Sequence, residues 1–301
     1  MSLRTCLPAV ALCAALLTPA HAQGPTPMVG SLTPYETRPG ENLFQIAYDH
    51  RLSVDLLAFA NGFPVTTTRV APGTRLILPT WRILPVDPPA NGIVVNLPER
   101  GLYLFRGGKY SGFYPISIGD EVKDKGRFST GGGNYTIIEK VKNPVWTPPD
   151  WAKDRRPVGA GPKNPLGDRW IGLSMPRTGI HGTNEPLNIG NSVTHGCMRT
   201  YPKLIKELFD LVEVGWPVRI EYETAKVGRD ANGNVYVASF PDVYGRKNPV
   251  KRMHQLLAED HLEGQIGRSN FDSVIDIHLG FPVALKATDP VFEEVSHRFN
   301  W

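Results

Sequence analysis

Two histidines and one cysteine are grouped near the middle of the chain. Cys197 closes the run Thr194-His195-Gly196-Cys197 and is followed by Met198-Arg199, while His181-Gly182-Thr183 begins sixteen positions before it. A thiol attacks only as thiolate, and a nearby imidazole can take its proton. Gly196 permits tight curvature and close approach of a substrate just before the thiol. Backbone N–H groups around Gly196 and Cys197 could then hold a developing oxyanion, worth about 2.7–4 kcal/mol per preorganised donor. Nucleophile, base and oxyanion donors together are what acyl transfer needs.

Competing readings fit these residues less well. A zinc site on His181, His195 and Cys197 lacks a fourth ligand at short spacing and a C-x-x-C companion. A papain-like arrangement places the cysteine well before its histidine, and here both histidines come first. An inert buried thiol is the remaining alternative, since free cysteine often behaves as a small apolar side chain.

The elements that must position this group begin after a secretory signal. Arg4 supplies the positive region, Leu7 to Leu17 the apolar core, and Ala20-His21-Ala22 the cleavage site, so the mature chain is expected to start at Gln23. The apolar core, at about eleven residues, is too short to span a bilayer as a helix. Cleavage would remove Cys6 and Cys13, leaving Cys197 as the single thiol, with no intramolecular disulfide framework. No other apolar run approaches membrane-spanning length. The formal charge of +4 is too small and too scattered to indicate nucleic-acid binding. With 28 prolines and 30 glycines the chain is rich in turns, which favours β architecture over helical bundles.

Three units follow the signal (1–22). Residues 35–80 read as strand, helix, helix, strand: Leu43, Ile46 and Ala47 share one helical face, and Ser53 is the expected N-cap of a helix burying Leu56, Leu57 and Ala60. Leu84 to Pro89 is a proline-rich connector. In residues 91–224, β-prone runs occur at 93–96, 102–105, 112–118, 135–138 and 218–222, with a Gly107-Gly108 hairpin. A helix is expected from Pro202, with Leu204, Leu208 and Leu211 on its buried face and Gly215 at its end. Residues 225–301 read as a small α+β appendage, with a strand at 235–237 and a helix from Val250 to Leu262. His254, His261, His278 and His297 are scattered and form no constellation. The expected class is β-dominated α+β, in several domains.

Two family resemblances attach to these units. Tyr35, Gly40, Leu43, Ile46-Ala47, Leu56, Asn61, Gly73, Leu76 and Pro79 resemble a LysM module, a family that binds the N-acetylglucosamine-containing glycan of cell walls. Asn42 departs from its usual Thr or Ser. His181-Gly182-Thr183-Asn184 and Thr194-His195-Gly196-Cys197-Met198-Arg199 resemble the signature of L,D-transpeptidases of the YkuD type. Asn143 to Pro149, Asn164 to Gly167 and Ile189-Gly190 extend that resemblance over residues 91–224. Ser129 to Tyr135, Asn188, Met198 and Thr200 depart from it.

The second resemblance implies a β-sandwich or barrel-like catalytic domain without metal or cofactor. Cys197 would attack the diaminopimelate carbonyl of a peptidoglycan tetrapeptide stem, release D-alanine and pass the acyl group to an amine. That amine would belong to a second stem, giving a 3→3 cross-link, or to an anchored outer-membrane lipoprotein or protein. His181 would carry the proton, oriented by the Gly182 carbonyl. His195 would support the loop and Gly196 would contribute to the oxyanion hole, although sequence alone allows the two histidines to exchange roles. Arg199, Thr183, Asn184 and Thr194 would contact substrate. The expected location is the periplasm. A non-catalytic wall-binding protein and a hydrolase or carboxypeptidase of the same fold are the alternatives.

Overall fold

The computed structural model describes residues 26–122, 126, 128–149, 152, 154–267 and 270–286. The expected signal segment with Cys6, Cys13 and Ala22, and His297 near the C-terminus, lie outside them. The centre of the molecule is an eight-stranded mixed sheet. Its strands run, from one edge to the other, Met198–Arg199, Gly179–His181, Arg169–Leu173, Gly133–Lys142, Pro217–Glu221, Gly92–Asn96, Gly101–Arg106 and Lys109–Pro115. Two pairings are parallel, Gly179–His181 with Met198–Arg199 and Pro217–Glu221 with Gly92–Asn96; the others are antiparallel. The two edges approach each other, because Ser117 and Arg199 exchange backbone hydrogen bonds of 2.8 and 3.1 Å just beyond them. The sheet is therefore curled almost to closure, and the chain is β-dominated.

Side-chain alternation gives this sheet two apolar faces. Ile93, Val95, Leu102 and Leu104 enter the main core, and Val94, Tyr103 and Phe105 enter a second cluster with Leu84 and Phe113. The helix Pro202–Leu211 closes the main core with Leu204, Ile205, Leu208 and Phe209. Full burial of such side chains contributes about 1.5–3 kcal/mol each. Two sequence expectations need adjustment here. Leu211 lies at the margin of the buried face, and the helix ends before Gly215, whose N–H instead bonds Ile137 O at 2.7 Å in the following turn. The expected 112–118 strand is also split: Ile118–Gly119 leaves the large sheet to pair with Ser192–Thr194.

The residues before the sheet form an antiparallel pair, Leu32–Glu36 with Arg75–Pro79, bracketing helices Leu43–Asp49 and Val54–Ala60. Asn42 and Ser53 cap those helices, accepting from Gln45 N and Leu56 N. Asparagine at position 42 thus does the capping work of serine or threonine. This unit packs against the helix that closes the main core: Arg51 pairs with Glu207 at 2.6 Å, and Tyr201 Oη donates to Leu52 O at 3.0 Å.

Beyond the sheet, Ala225–Arg229, Val235–Ser239 and Val283–Ala284 form a three-stranded sheet covered by helices Pro249–Glu259 and Phe271–Asp276. Its core includes Ala60 and Ile77 of the N-terminal unit. Lys226 is also sunk into the sheet region, with Nζ 2.6 Å from Glu99 Oε2 and 3.2 Å from Ile83 O; the side chains are 8% and 3% exposed for Lys226 and Glu99. Tyr103 Oη donates to the other Glu99 oxygen. Lys226→Ala would strand that carboxylate without its cation, so we expect a loss of about 3–5 kcal/mol in urea denaturation. The double variant Lys226→Met/Glu99→Gln should lose much less.

Candidate functional site

The parallel register between Gly179–His181 and Met198–Arg199 assembles the site. Ile180 lies opposite Met198, and both are fully buried in the main core. Alternation therefore places Gly179, His181, Cys197 and Arg199 together on the other face. Cys197 directly precedes Met198, and its thiol meets the Gly179 N–H, two residues before His181. Strand pairing brings onto one surface two chemical groups that stand sixteen positions apart in the chain.

His181 is 3% exposed. Its Nδ1 lies 2.7 Å from Gly182 O, so Nδ1 carries the proton and donates, leaving the lone pair on Nε2. The Trp170 indole stacks on the ring at 5.6 Å between centroids and 28° between planes. Trp170 is in turn held by Glu139, to which its Nε1 donates at 2.8 Å. Burial, with the neighbouring Arg199 charge, lowers the His181 pKa to about 3. Burial raises the thiol of Cys197, while the Gly179 N–H and Arg199 pull it the other way. At neutral pH the resting pair is thus thiol and neutral imidazole. The thiol donates to Arg177 O at 3.6 Å, from a residue at φ +56°.

The loop preceding Cys197 is tightly braced. Thr194, 1% exposed, donates through Oγ1 to Cys197 O at 2.5 Å and accepts from Gly196 N at 3.3 Å. An oxyanion role for the Gly196 amide requires that bond to be exchanged for one to substrate. Gly196 has φ +106°, in the region that favours glycine, and its carbonyl accepts from Thr130 Oγ1 at 3.0 Å. Thr194 is thus committed to the loop itself. Thr183 is likewise buried, its Oγ1 accepting from Glu185 N at 2.9 Å. Asn184 is exposed and reaches Lys163 O at 3.5 Å.

The two histidines occupy contrasting places. His195 is exposed, edge-on to Phe128 at 4.4 Å between ring centroids. Arg199 pairs with Glu185 at 3.4 Å, and its Nε is buried without a hydrogen-bond partner among the described residues. Glu185 also lines an open groove of about 680 Å3, where Leu187 and Asn188 face Asn42, Phe44 and Arg69 of the N-terminal unit.

Several contributors escaped sequence reasoning. Trp170, Thr130 and the Arg177 carbonyl carry no motif, and Gly172 and Gly179 weaken the strand signal of the segments that hold them. Among the described residues, no group of three or more His, Cys, Asp or Glu side chains is placed to hold a metal ion, and no helix is long and apolar enough to cross a membrane.

Comparison with known proteins agrees with this geometry. Residues 90–220 match the family model of the YkuD L,D-transpeptidase catalytic domain. The chain is 34% identical over 243 residues to the probable L,D-transpeptidase YcfS of Escherichia coli strain K12, covering 73% of each chain. It is 36% identical over 178 residues to the probable L,D-transpeptidase YbiS of the same strain, covering 55% of each. Similarity extending so far beyond the catalytic segment places the chain in the L,D-transpeptidase family, as an enzyme of that class.

Proposed function

We propose that this enzyme acts on peptidoglycan tetrapeptide stems through a thioester on Cys197. The observation that carries the reading is the common sheet face of Cys197 and His181, with His181 Nδ1 tied to Gly182 O and Nε2 left as the basic nitrogen. Cys197 Sγ attacks the diaminopimelate carbonyl and its proton passes to His181. The peptide C–N bond then breaks, and the imidazolium returns the proton to the departing D-alanine amine. An acceptor amine attacks the thioester, the C–S bond breaks, and the thiolate recovers a proton. Burial keeps the resting His181 imidazole neutral, so its Nε2 can accept the thiol proton.

Arg199, partly exposed and opposite His181 in the strand register, supplies a positive charge for a substrate carboxylate. His195 supports the loop, and Gly196 contributes its amide once substrate displaces Thr194 Oγ1. Thr183, Asn184 and Thr194 shape the substrate loops. The N-terminal LysM-like unit holds glycan, for which the groove between Phe44 and Leu187 is suited, and the enzyme works in the periplasm after export. The acceptor is the side-chain amine of a second stem or the lysine of an anchored protein.

Incubation of mature protein with disaccharide tetrapeptides tests this. Intact-mass analysis should show an adduct equal to the donor less D-alanine, and added tetrapeptide or lysine-ended peptide should discharge it as a joined product. Tripeptide as sole product would make the enzyme a carboxypeptidase. Absence of both adduct and D-alanine would end the proposal.

A further inference from the structure

The segment following the sheet reaches back to the loop that carries Cys197. Tyr244, 8% exposed, lies in the main core, although it comes from residues beyond the catalytic match. Its hydroxyl donates to Gly119 O at 2.9 Å and accepts from Thr130 N at 3.1 Å. Thr130, fully buried, accepts from Gly119 N at 2.9 Å and donates to Gly196 O at 3.0 Å. One phenol and one threonine hydroxyl thus join the C-terminal segment to the peptide immediately before the thiol.

A second connection runs in parallel. Gly119 pairs with Thr194, and Asp120 N donates to Thr194 O at 3.0 Å. A Cβ on Gly119 would meet Phe128 O at 1.9 Å, so the two backbones touch directly where Tyr244 ties them together. Tyr244 itself is held from its own side. Its N–H donates to Tyr222 Oη at 2.7 Å, its ring stacks on Tyr222 at 5.7 Å, and Arg246 lies 4.7 Å over it while pairing with Glu121 at 3.1 Å. Two residues of the catalytic loops, Thr130 and Thr194, are thus set by contacts whose anchor is outside the catalytic segment.

We infer that Tyr244 is a positioning residue for acyl transfer: its hydroxyl, through Thr130 and Gly119, fixes the Gly196 carbonyl and so the direction in which Cys197 presents its thiol. The inference rests on the proposed role of Cys197. Displacements of about 1 Å in a reacting group can cost a hundredfold in rate, so a single hydroxyl in this position has leverage on kcat.

Tyr244→Phe keeps the ring, its stacking and its cation contact while removing both hydrogen bonds. We expect kcat for D-alanine release to fall roughly tenfold to a hundredfold. KM and the rate of Cys197 alkylation by iodoacetamide should stay near the parental values, and the melting midpoint should fall by only a few degrees, for the Thr130 N–H and Gly119 O left unpaired. Thr130→Val should reproduce this loss, Thr130→Ser should restore most of the rate, and the double variant Tyr244→Phe/Thr130→Val should lose far less than the product of the singles. If Tyr244→Phe fails to fold, Thr130→Val and Thr130→Ser test the same link from the catalytic side. Parental kcat in folded Tyr244→Phe, multiplicative losses, or loss of kcat in step with loss of folded protein would overturn the inference. Retained D-alanine release by Cys197→Ala would instead overturn the proposed function, whatever Tyr244 does.

Discussion

Cys197→Ala will fold as the parent does and release no measurable D-alanine from tetrapeptide stems, a loss on the order of 10^4- to 10^6-fold in kcat for a nucleophile removed from a coupled set. The thiol is half-buried and donates only a long bond to Arg177 O, so its removal should move the urea midpoint little. His181→Ala should lose nearly as much activity, because the thiol is raised by burial and has too little thiolate at neutral pH to act unaided. His195→Gln should cost less than about tenfold, as expected of a group outside the proton path. The contrast rests on geometry. His181 is buried, backed by Trp170 and fixed at Nδ1, whereas His195 is exposed beside Phe128. Steady-state D-alanine release by the three folded variants checks the ranking. A larger loss in His195→Gln than in His181→Ala would exchange their roles.

Acid should destabilise this protein through His181. Its folded pKa is about 3, against about 6.5 in the unfolded chain, so between those values the unfolded state binds more protons. The stabilising contribution is fully present above about pH 6.5 and is lost as pH falls toward about 3. It amounts to about 3 kcal/mol lost by pH 4, and on the order of 4–5 kcal/mol once both states are protonated. Urea denaturation of the parent and of His181→Gln from pH 7 to pH 4 measures this directly. The parent should lose stability more steeply than the variant by that amount, and parallel curves would contradict the buried neutral imidazole. The same shift predicts activity without an acid limb between pH 6 and 7, since the base remains unprotonated there.

The sequence by itself determined what is local. Leu43, Ile46 and Ala47 formed one buried face because helical spacing aligns them, and Ser53 capped its helix because its side chain reaches an N–H three residues on. The β-prone runs at 93–96 and 102–105 became adjacent strands. The residue types of the site, one thiol after Gly196 and two nearby histidines, were also legible, because their chemistry belongs to the side chains.

Only the tertiary structure decided how those groups stand to one another. His181 and Cys197 share a face through the register of two short strands, and no periodicity in Gly179–His181 announces that pairing. It buried His181 and left His195 at the surface, which separates two residues that look equivalent in sequence. It turned Thr194 inward and brought Tyr244 across 114 positions to Thr130. Capping and amphipathic spacing act over three or four residues and can be read along the chain. Register, burial and long-range hydrogen bonds depend on which surfaces meet when the sheet curls, and that meeting exists only in the folded molecule.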